Sequence, residues 1–515
     1  MASSTRGKQD FRNCAWAGWI VLSAMGIYAY AILAAAPDRL VQGALAMAFQ
    51  IACWTIALVL LTRREPTGHL RLCDPGVLVM LWGAIYLIYP SIVWFQADPI
   101  PFSNALSLET GVLLFWLHGL FFLGFTAGYL GLCGRPSGGI GKLDTQDLPS
   151  GWLFFLIPFI PLLWSTLTRV ASGGGLFPAA TYGEATIGGY AELEATRSAG
   201  GLDYLWAQIY SKVAFYPIIM QGVGTGLILI RTIKRRQGRL RTCLFLSLGI
   251  LFTLFAGSGR RTEVFFILAI ALIFVDMIIG PLPWRKLAAV ALVGLVIFEF
   301  FGYFRANRGL GFSLGLWESY QSLLTADRSI SLGEFTLMLS KEALAVKIFR
   351  AAGIEGPMYL VQSVLLIVPS QLLPGKFDWT PTRDILTKEM IGQYAAASGI
   401  GAAGTMVGDG FRFADIPGVL LLAVILGSAF GLTQRWLASE VRRGIQGPIL
   451  LKAVLVAGLY GWTYNTIRTD LAEVIYIFFY NLIVPWLVLS VFLPERGLSV
   501  WTKPLAVKSP DMSSS

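Results

Sequence analysis

The sequence predicts an all-α polytopic membrane protein, and three observations predict it. Hydrophobic residues make up 55% of the 515-residue chain and charged residues only 14%, against about 25% charged in a soluble domain. Apolar runs near the roughly 20 residues that a helical span needs recur along most of its length. Basic residues collect in alternate connections between those runs, as topology determinants do.

The first run, from Cys14 to about Ala36, exceeds the roughly 7–15-residue core of a signal peptide and has no small-residue cleavage site after it, so it reads as a retained span. Further runs cover 40–62, 75–96, 110–131, 151–168, 205–230, 242–256, 262–280, 284–303, 417–434, 449–466 and 472–493, which makes about twelve spans in all. The 242–256 run is short for a span.

Charge then orients these spans. One set of connections carries Arg6, Lys8 and Arg12, then Arg63, Arg64 and Arg71, then Arg135 and Lys142. The same set continues with the cluster from Arg231 to Arg241, Arg285 with Lys286, Arg435 with Arg442 and Arg443, and Arg496, Lys503 and Lys508 in the tail. The short connections of the other set hold Arg39 alone, no base between Gln96 and Leu108, and Arg169 and Arg197 among Glu184, Glu192, Glu194 and Asp203. The positive-inside rule therefore puts both termini in the cytosol. Four regions result: a nine-span region 1–303, one large outward loop 304–416 with amphipathic or re-entrant helices, three C-terminal spans in 417–494, and a cytosolic tail 495–515.

The net charge of +10 does not point to nucleic acid, because it lies in short loops between apolar runs. Cys14, Cys53, Cys73, Cys133 and Cys243 fall in or near segments directed toward the cytosol, which fits a reducing compartment. None has zinc-ligand spacing and the histidines are His69 and His118 alone, so no metal site and no cofactor are expected.

The loop from Phe304 to about Asp415 is far longer than the roughly 12–15 residues beyond which loops are functional or disordered. It is too apolar for disorder: the stretch Met358 to Pro369 would not remain in water. A folded lid on the membrane surface, or dipping into it, is expected.

Basic residues on the outward side oppose the topology rule and call for a reason. The turn Gly257-Ser258-Gly259-Arg260-Arg261-Thr262-Glu263 leads into a span, where free N–H groups and the positive helix end suit an anion. Two arginines there add bidentate donors matched to phosphate; the alternative is a capped turn whose arginines reach lipid headgroups. Glu299, Arg305 and Arg308 stand at the outer end of the ninth span. A carboxylate inside apolar sequence is costly and is functional or paired, here with Lys212. In the last outward turn Arg468 again breaks the rule, while Asp470 and Glu473 suit the first turn of the final helix.

Within the long loop, Asp327, Arg328, Glu334, Asp378, Arg383, Asp384, Glu389 and Arg412 read mostly as solvated charges, and Asp409 stands out because Gly408 and Gly410 would leave its carboxylate accessible. Asp276 and His118 read as hydrogen-bonded helix contacts. The patterns Gly124-x-x-x-Gly128 and Gly222-x-Gly224-x-Gly226 read as close helix packing.

These features together resemble the oligosaccharide repeat-unit polymerases, the O-antigen or Wzy-type polymerase family. The resemblance rests on a polytopic chain with one large outward loop before its last spans, the Gly257-Ser258-Gly259-Arg260-Arg261 turn ahead of a span, Gly408-Asp409-Gly410-Phe411 with Gly418 beyond, and Arg468 in the last outward turn. It departs from the family where Asp409 replaces an expected Glu and where Pro417 follows.

The resemblance implies a metal-independent, GT-C-like membrane glycosyltransferase in the bacterial inner membrane with its active face in the periplasm. It would pass a growing glycan from polyprenyl diphosphate to the next lipid-linked repeat unit, for O-antigen, capsule or exopolysaccharide. Arg260, Arg261, Arg305, Arg308 and Arg468 would hold the diphosphate, and Glu263, Glu299 or Asp409 would be the acceptor base. A flippase and a chain-length regulator of the same pathway would be its partners. An O-antigen ligase has a similar layout but carries a histidine in the outward loop, and residues 304–415 contain none. A precursor flippase or transporter would be expected to show repeated halves and broken helices; a membrane scaffold for polysaccharide export is the remaining reading.

Overall fold

The computed structural model describes residues 39–62, 71–95, 107–133, 151–160, 216–235, 238–256, 261–280, 312–325, 330–368, 405–443 and 448–492, with isolated positions between them. Among these residues the regular elements are all helical. In chain order they are α1 (Arg39–Thr62), α2 (Pro75–Gly83, continued by a π-turn Ala84–Ile88 and Tyr89–Phe95), α3 (Leu108–Leu132), α4 (Gly151–Leu156), α5 (Tyr216–Arg235), α6 (Arg239–Ala256) and α7 (Arg261–Ile279). There follow α8 (Phe312–Thr325), α9 (Ile330–Ala352), α10 (Pro357–Leu365), α11 (Met406–Arg443), α12 (Pro448–Gly461) and α13 (Leu471–Phe478, continued by a π-turn Phe479–Ile483 and Val484–Phe492).

Five of these helices are long and apolar enough to cross a membrane, within Val41–Thr62, Pro75–Trp94, Glu109–Leu132, Met406–Glu440 and Leu471–Val491, and Phe266–Ile279 and Lys452–Gly461 are shorter apolar helices. The chain is a membrane protein, helical in every regular element among the described residues. The predicted span 14–36, the first part of 205–230, most of 284–303 and the tail 495–515 lie outside the described residues.

Glycines set the closest helix contacts. Gly124 and Gly128 of α3 face Leu420 and Val424 of α11, while Gly427 and Gly431 of α11 face Phe125 and Tyr129 of α3. A Cβ at Gly128 would fall 2.1 Å from the Val424 carbonyl oxygen, and one at Gly427 would fall 2.0 Å from that of Phe125. Only glycine on each helix lets two backbones meet so closely. On α5, Gly222 and Gly226 face α7 at Ile270 and Phe274, and Gly224 faces Phe155 of α4. The small-residue patterns thus serve packing.

The contacts also give relative directions. Residue numbers rise together between α1 and α3 (Phe49 with Trp116, Cys53 with Gly119), α3 and α11, α5 and α7, and α11 and α13 (Phe430 with Phe478, Trp436 with Trp486). They run oppositely between α2 and α3 (Gly83 with Phe122, Trp94 with Gly111) and between α4 and α5. Each pair has the relative direction that alternate threading of the predicted spans requires.

The segment between the ninth and tenth predicted spans does more than cover the bundle. Helix α9 inserts beside α3 and antiparallel to it, with Glu342 against His118 and Arg350 against Glu109. His118 lies ten residues past the start of α3, about 15 Å along the helix, or half of a roughly 30 Å hydrocarbon core.

Helix α11 is broken at Ala414 and Asp415, where φ/ψ leave the helical region (−157°, 37° and 56°, −143°). Positive φ is uncommon for a non-glycine residue, and with ψ at −143° Asp415 lies outside the left-handed helical region that Asp tolerates, in a strained conformation that favours glycine. The Asp415 carboxylate accepts the Ile416 N–H at 2.8 Å, and Pro417 is pre-set for the first turn of the following helix. The short first arm folds back on the long second one: a Cβ at Gly418 would lie 2.0 Å from the Gly410 carbonyl oxygen.

Candidate functional site

The first arm of α11 begins at Thr405, whose hydroxyl accepts the Gly408 N–H at 2.8 Å while its carbonyl accepts the Asp409 N–H at 3.0 Å. A side-chain oxygen and a carbonyl at this position satisfy N–H groups that a helix start leaves over. Gly408 packs on Ala345 of α9 and Gly410 on Val419 of the second arm, where added Cβ atoms would approach to 2.8 and 2.5 Å. The glycines around Asp409 therefore permit helix crossing. They do not expose the carboxylate, as the sequence suggested: Asp409 is 0% accessible.

That carboxylate accepts the Leu471 N–H at the start of α13. Asp470 caps the same helix, accepting the Glu473 N–H at 2.9 Å, and the Thr469 hydroxyl donates to Glu473. The capping roles expected for Asp470 and Glu473 are thus both present. Asp409 and Asp470 are each at most 1% accessible, and they share their surroundings with Tyr359 of α10. Burial first, and then the neighbouring carboxylates of Asp409 and Asp470, hold the Tyr359 hydroxyl well above its ordinary pKa. Arg468 lies two residues before the Asp470 cap, half-buried.

Arg412, one turn after Asp409, is buried rather than solvated, at 3% accessibility. Its Nε donates to Glu355 Oε1 at 2.7 Å and its Nη1 to Thr382 Oγ1 at 3.1 Å, and its guanidinium lies 5.1 and 4.9 Å from the ring centroids of Phe349 and Tyr359. The Glu355 and Gly356 N–H groups donate to the Arg412 and Phe413 carbonyls at 3.1 and 3.0 Å. Carbonyls that the end of the arm would leave over are thereby satisfied. Reading Arg412 as a loop charge failed because its partners come from α9, α10 and the segment between α10 and α11.

A second contact joins turns that the sequence reading directs outward. Phe266, in the second turn of α7, lies 4.3 Å from Trp462 between ring centroids, and Trp462 opens the 3-10 turn Trp462–Tyr464 before Asn465–Arg468. The helix that starts at Arg261 and contains Glu263 thus packs against the segment that carries Arg468.

The remaining sequence candidates are placed less fully. Arg261 and Glu263 stand in the first turn of α7; Arg260, Arg305, Arg308 and Lys212 lie outside the described residues. Glu299 is helical and half-buried, and it hydrogen-bonds Tyr303 one turn on.

Among the described residues, further buried polar clusters lie outside this region. His118 Nε2 is 2.6 Å from Glu342 Oε2, and its Nδ1 is 2.9 Å from Gln50 Nε2, which also donates to the Leu87 carbonyl at 3.0 Å. Arg71 Nε donates to Asp276 Oδ2 at 3.2 Å, which accepts the Cys73 N–H as well, and Asp74 accepts the Tyr129 hydroxyl at 2.7 Å while capping α2. His118 and Asp276 are the hydrogen-bonded contacts expected of them, whereas Glu342 carried no sequence signal. Comparison with known protein families, curated proteins and solved structures finds no match to this chain.

Proposed function

We propose that the protein is a membrane glycosyltransferase that polymerises polyprenyl-diphosphate-linked oligosaccharide repeat units at the outer face of the bacterial inner membrane. One observation carries the reading. Segments that the sequence separates, the Gly408-Asp409-Gly410 arm, the Arg468 turn and the helix that begins at Arg261, meet through Asp409 on Leu471 and Phe266 on Trp462. Arginines on these turns supply the cations that stabilise charge developing on a diphosphate leaving group. A carboxylate nearby accepts the proton of the acceptor hydroxyl, with Glu263, Glu299 and Asp409 as candidates. Asp409 also fixes the turn that presents Arg468.

A precursor flippase is the second reading, and the break in α11 favours it. Broken helices are a mark of transporters, and none was evident in the sequence.

Surface and lipid-linked glycan from a deletion strain, complemented at matched protein level with wild type or with Arg260→Ala/Arg261→Ala, separates the readings. Single repeat units in the deletion and the double variant, against a ladder in wild type, are expected for the polymerase. Full-length glycan left on its lipid carrier would indicate a ligase, and repeat units held on the cytosolic leaflet a flippase. An intact ladder from the double variant would remove those arginines from the mechanism.

A further inference from the structure

We propose that the groove between α11, α12 and α13 seats one anionic glycerophospholipid, separately from the glycosyl-transfer site. The groove has a volume of about 320 Å³ and is lined by apolar side chains, among them Leu432, Trp436, Val456, Ile483, Trp486 and Leu487. That volume falls within the roughly 300–1,000 Å³ of small-molecule sites. Its outer wall faces away from the protein: Leu432 is 52% and Leu487 58% accessible. In a helix that crosses a membrane, such a wall meets acyl chains. The π-turn Phe479–Ile483 supplies Ile483 to the rim, and π-turns inside helices are frequent at functional sites.

Charge selects the headgroup. Lys452 is buried with its Nζ 5.2 Å from the Trp486 ring centroid, and this cation–π contact holds the Trp486 wall of the groove. Arg435 is exposed and lies three residues beyond Leu432 on α11, on the same helix face. Arg442 and Arg443 follow at the end of that helix. The acid that α11 itself carries at this end, Glu440, is buried rather than presented at the rim. The positive-inside rule assigns this end to the cytosolic side, where basic pockets between helices take anionic headgroups. The acyl chain occupies the apolar groove, and the phosphate lies toward Arg435.

Native mass spectrometry of the full chain with added phosphatidylglycerol or phosphatidylcholine tests this, using wild type, Arg435→Gln and Leu432→Trp. Both variants change exposed side chains, so folding is preserved. One tightly retained phosphatidylglycerol per chain is expected in wild type. Binding about fivefold weaker is expected in Arg435→Gln, and loss of the retained lipid in Leu432→Trp. Equal retention of both phospholipids, or no effect of Arg435→Gln, would overturn the anionic preference. Retention unchanged by Leu432→Trp would overturn the location. Displacement of phosphatidylglycerol by undecaprenyl phosphate at lower concentration would make the groove a carrier-lipid site and overturn the proposal.

Discussion

The contact between His118 and Glu342 joins a predicted span to the inserted helix α9, and both side chains are 0% accessible. Glu342 Oε2 meets His118 Nε2 at 2.6 Å, while among the described residues Glu342 Oε1 has no hydrogen-bond partner. Replacing His118 with Leu therefore strips the carboxylate of its observed partner. Breaking a buried pair in this way costs about 3–5 kcal/mol, whereas replacing both members with apolar residues is neutral or stabilising in many cases. Unfolding in mixed detergent micelles, followed by circular dichroism, should show His118→Leu and Glu342→Leu each strongly destabilised. The double variant His118→Leu/Glu342→Leu should lie within about 1–2 kcal/mol of wild type, a coupling well above that of independent sites. Additive losses in the double variant would refute both the pairing and the insertion of α9 beside α3.

Two further outcomes follow from the packing around α11. Gly128→Ala drives a Cβ into the Val424 backbone and should cost about 1–3 kcal/mol in thermal or detergent unfolding; Gly294→Ala, with nothing within 4 Å of the added carbon among the described residues, should cost nothing and gain up to about 1 kcal/mol of helix propensity. Asp409→Asn keeps an oxygen to accept the Leu471 N–H, whereas Asp409→Ala leaves that N–H without its acceptor at about 1–3 kcal/mol. If Asp409 positions the Arg468 turn, Asp409→Asn should retain a glycan ladder and Asp409→Ala should lose it; loss in a stable Asp409→Asn variant would instead make this carboxylate the base.

Hydropathy and loop charge made the spans at 40–62, 75–96, 110–131, 417–434 and 472–493 legible, because a helix that must satisfy its backbone in lipid needs a long apolar run. The glycine patterns of α3 and α5 were equally readable, since close backbone approach demands them. Helix α9 was not. Glu334, Lys341, Glu342, Lys347 and Arg350 give it the charge of a solvated helix, and burial of Glu342 depends on a histidine 224 residues earlier. Arg412 was misread for the same reason, as Phe349, Glu355, Tyr359 and Thr382 reach it only in the fold. The glycines beside Asp409 were explained wrongly: they relieve contacts with Ala345 and Val419, and the carboxylate between them is buried.

The break in α11 bears on the choice between a polymerase and a transporter. In transporters, non-helical backbone at membrane depth lines a water-filled cavity or is buried in protein. Here the first arm ends with its Arg412 and Phe413 carbonyls bonded to the Glu355 and Gly356 N–H groups, and Asp415 satisfies Ile416. Gly410 and Gly418 hold the two arms in backbone contact, and Arg412 is clamped by Glu355 and Thr382 between two aromatic rings. A gate must exchange such contacts at low cost during each cycle, because an element can be shifted only by the difference in free energy between its states. Opening this corner would uncover a buried arginine and two buried carboxylates together. The bonding at the corner therefore suits a fixed support for the Arg468 turn better than a moving gate.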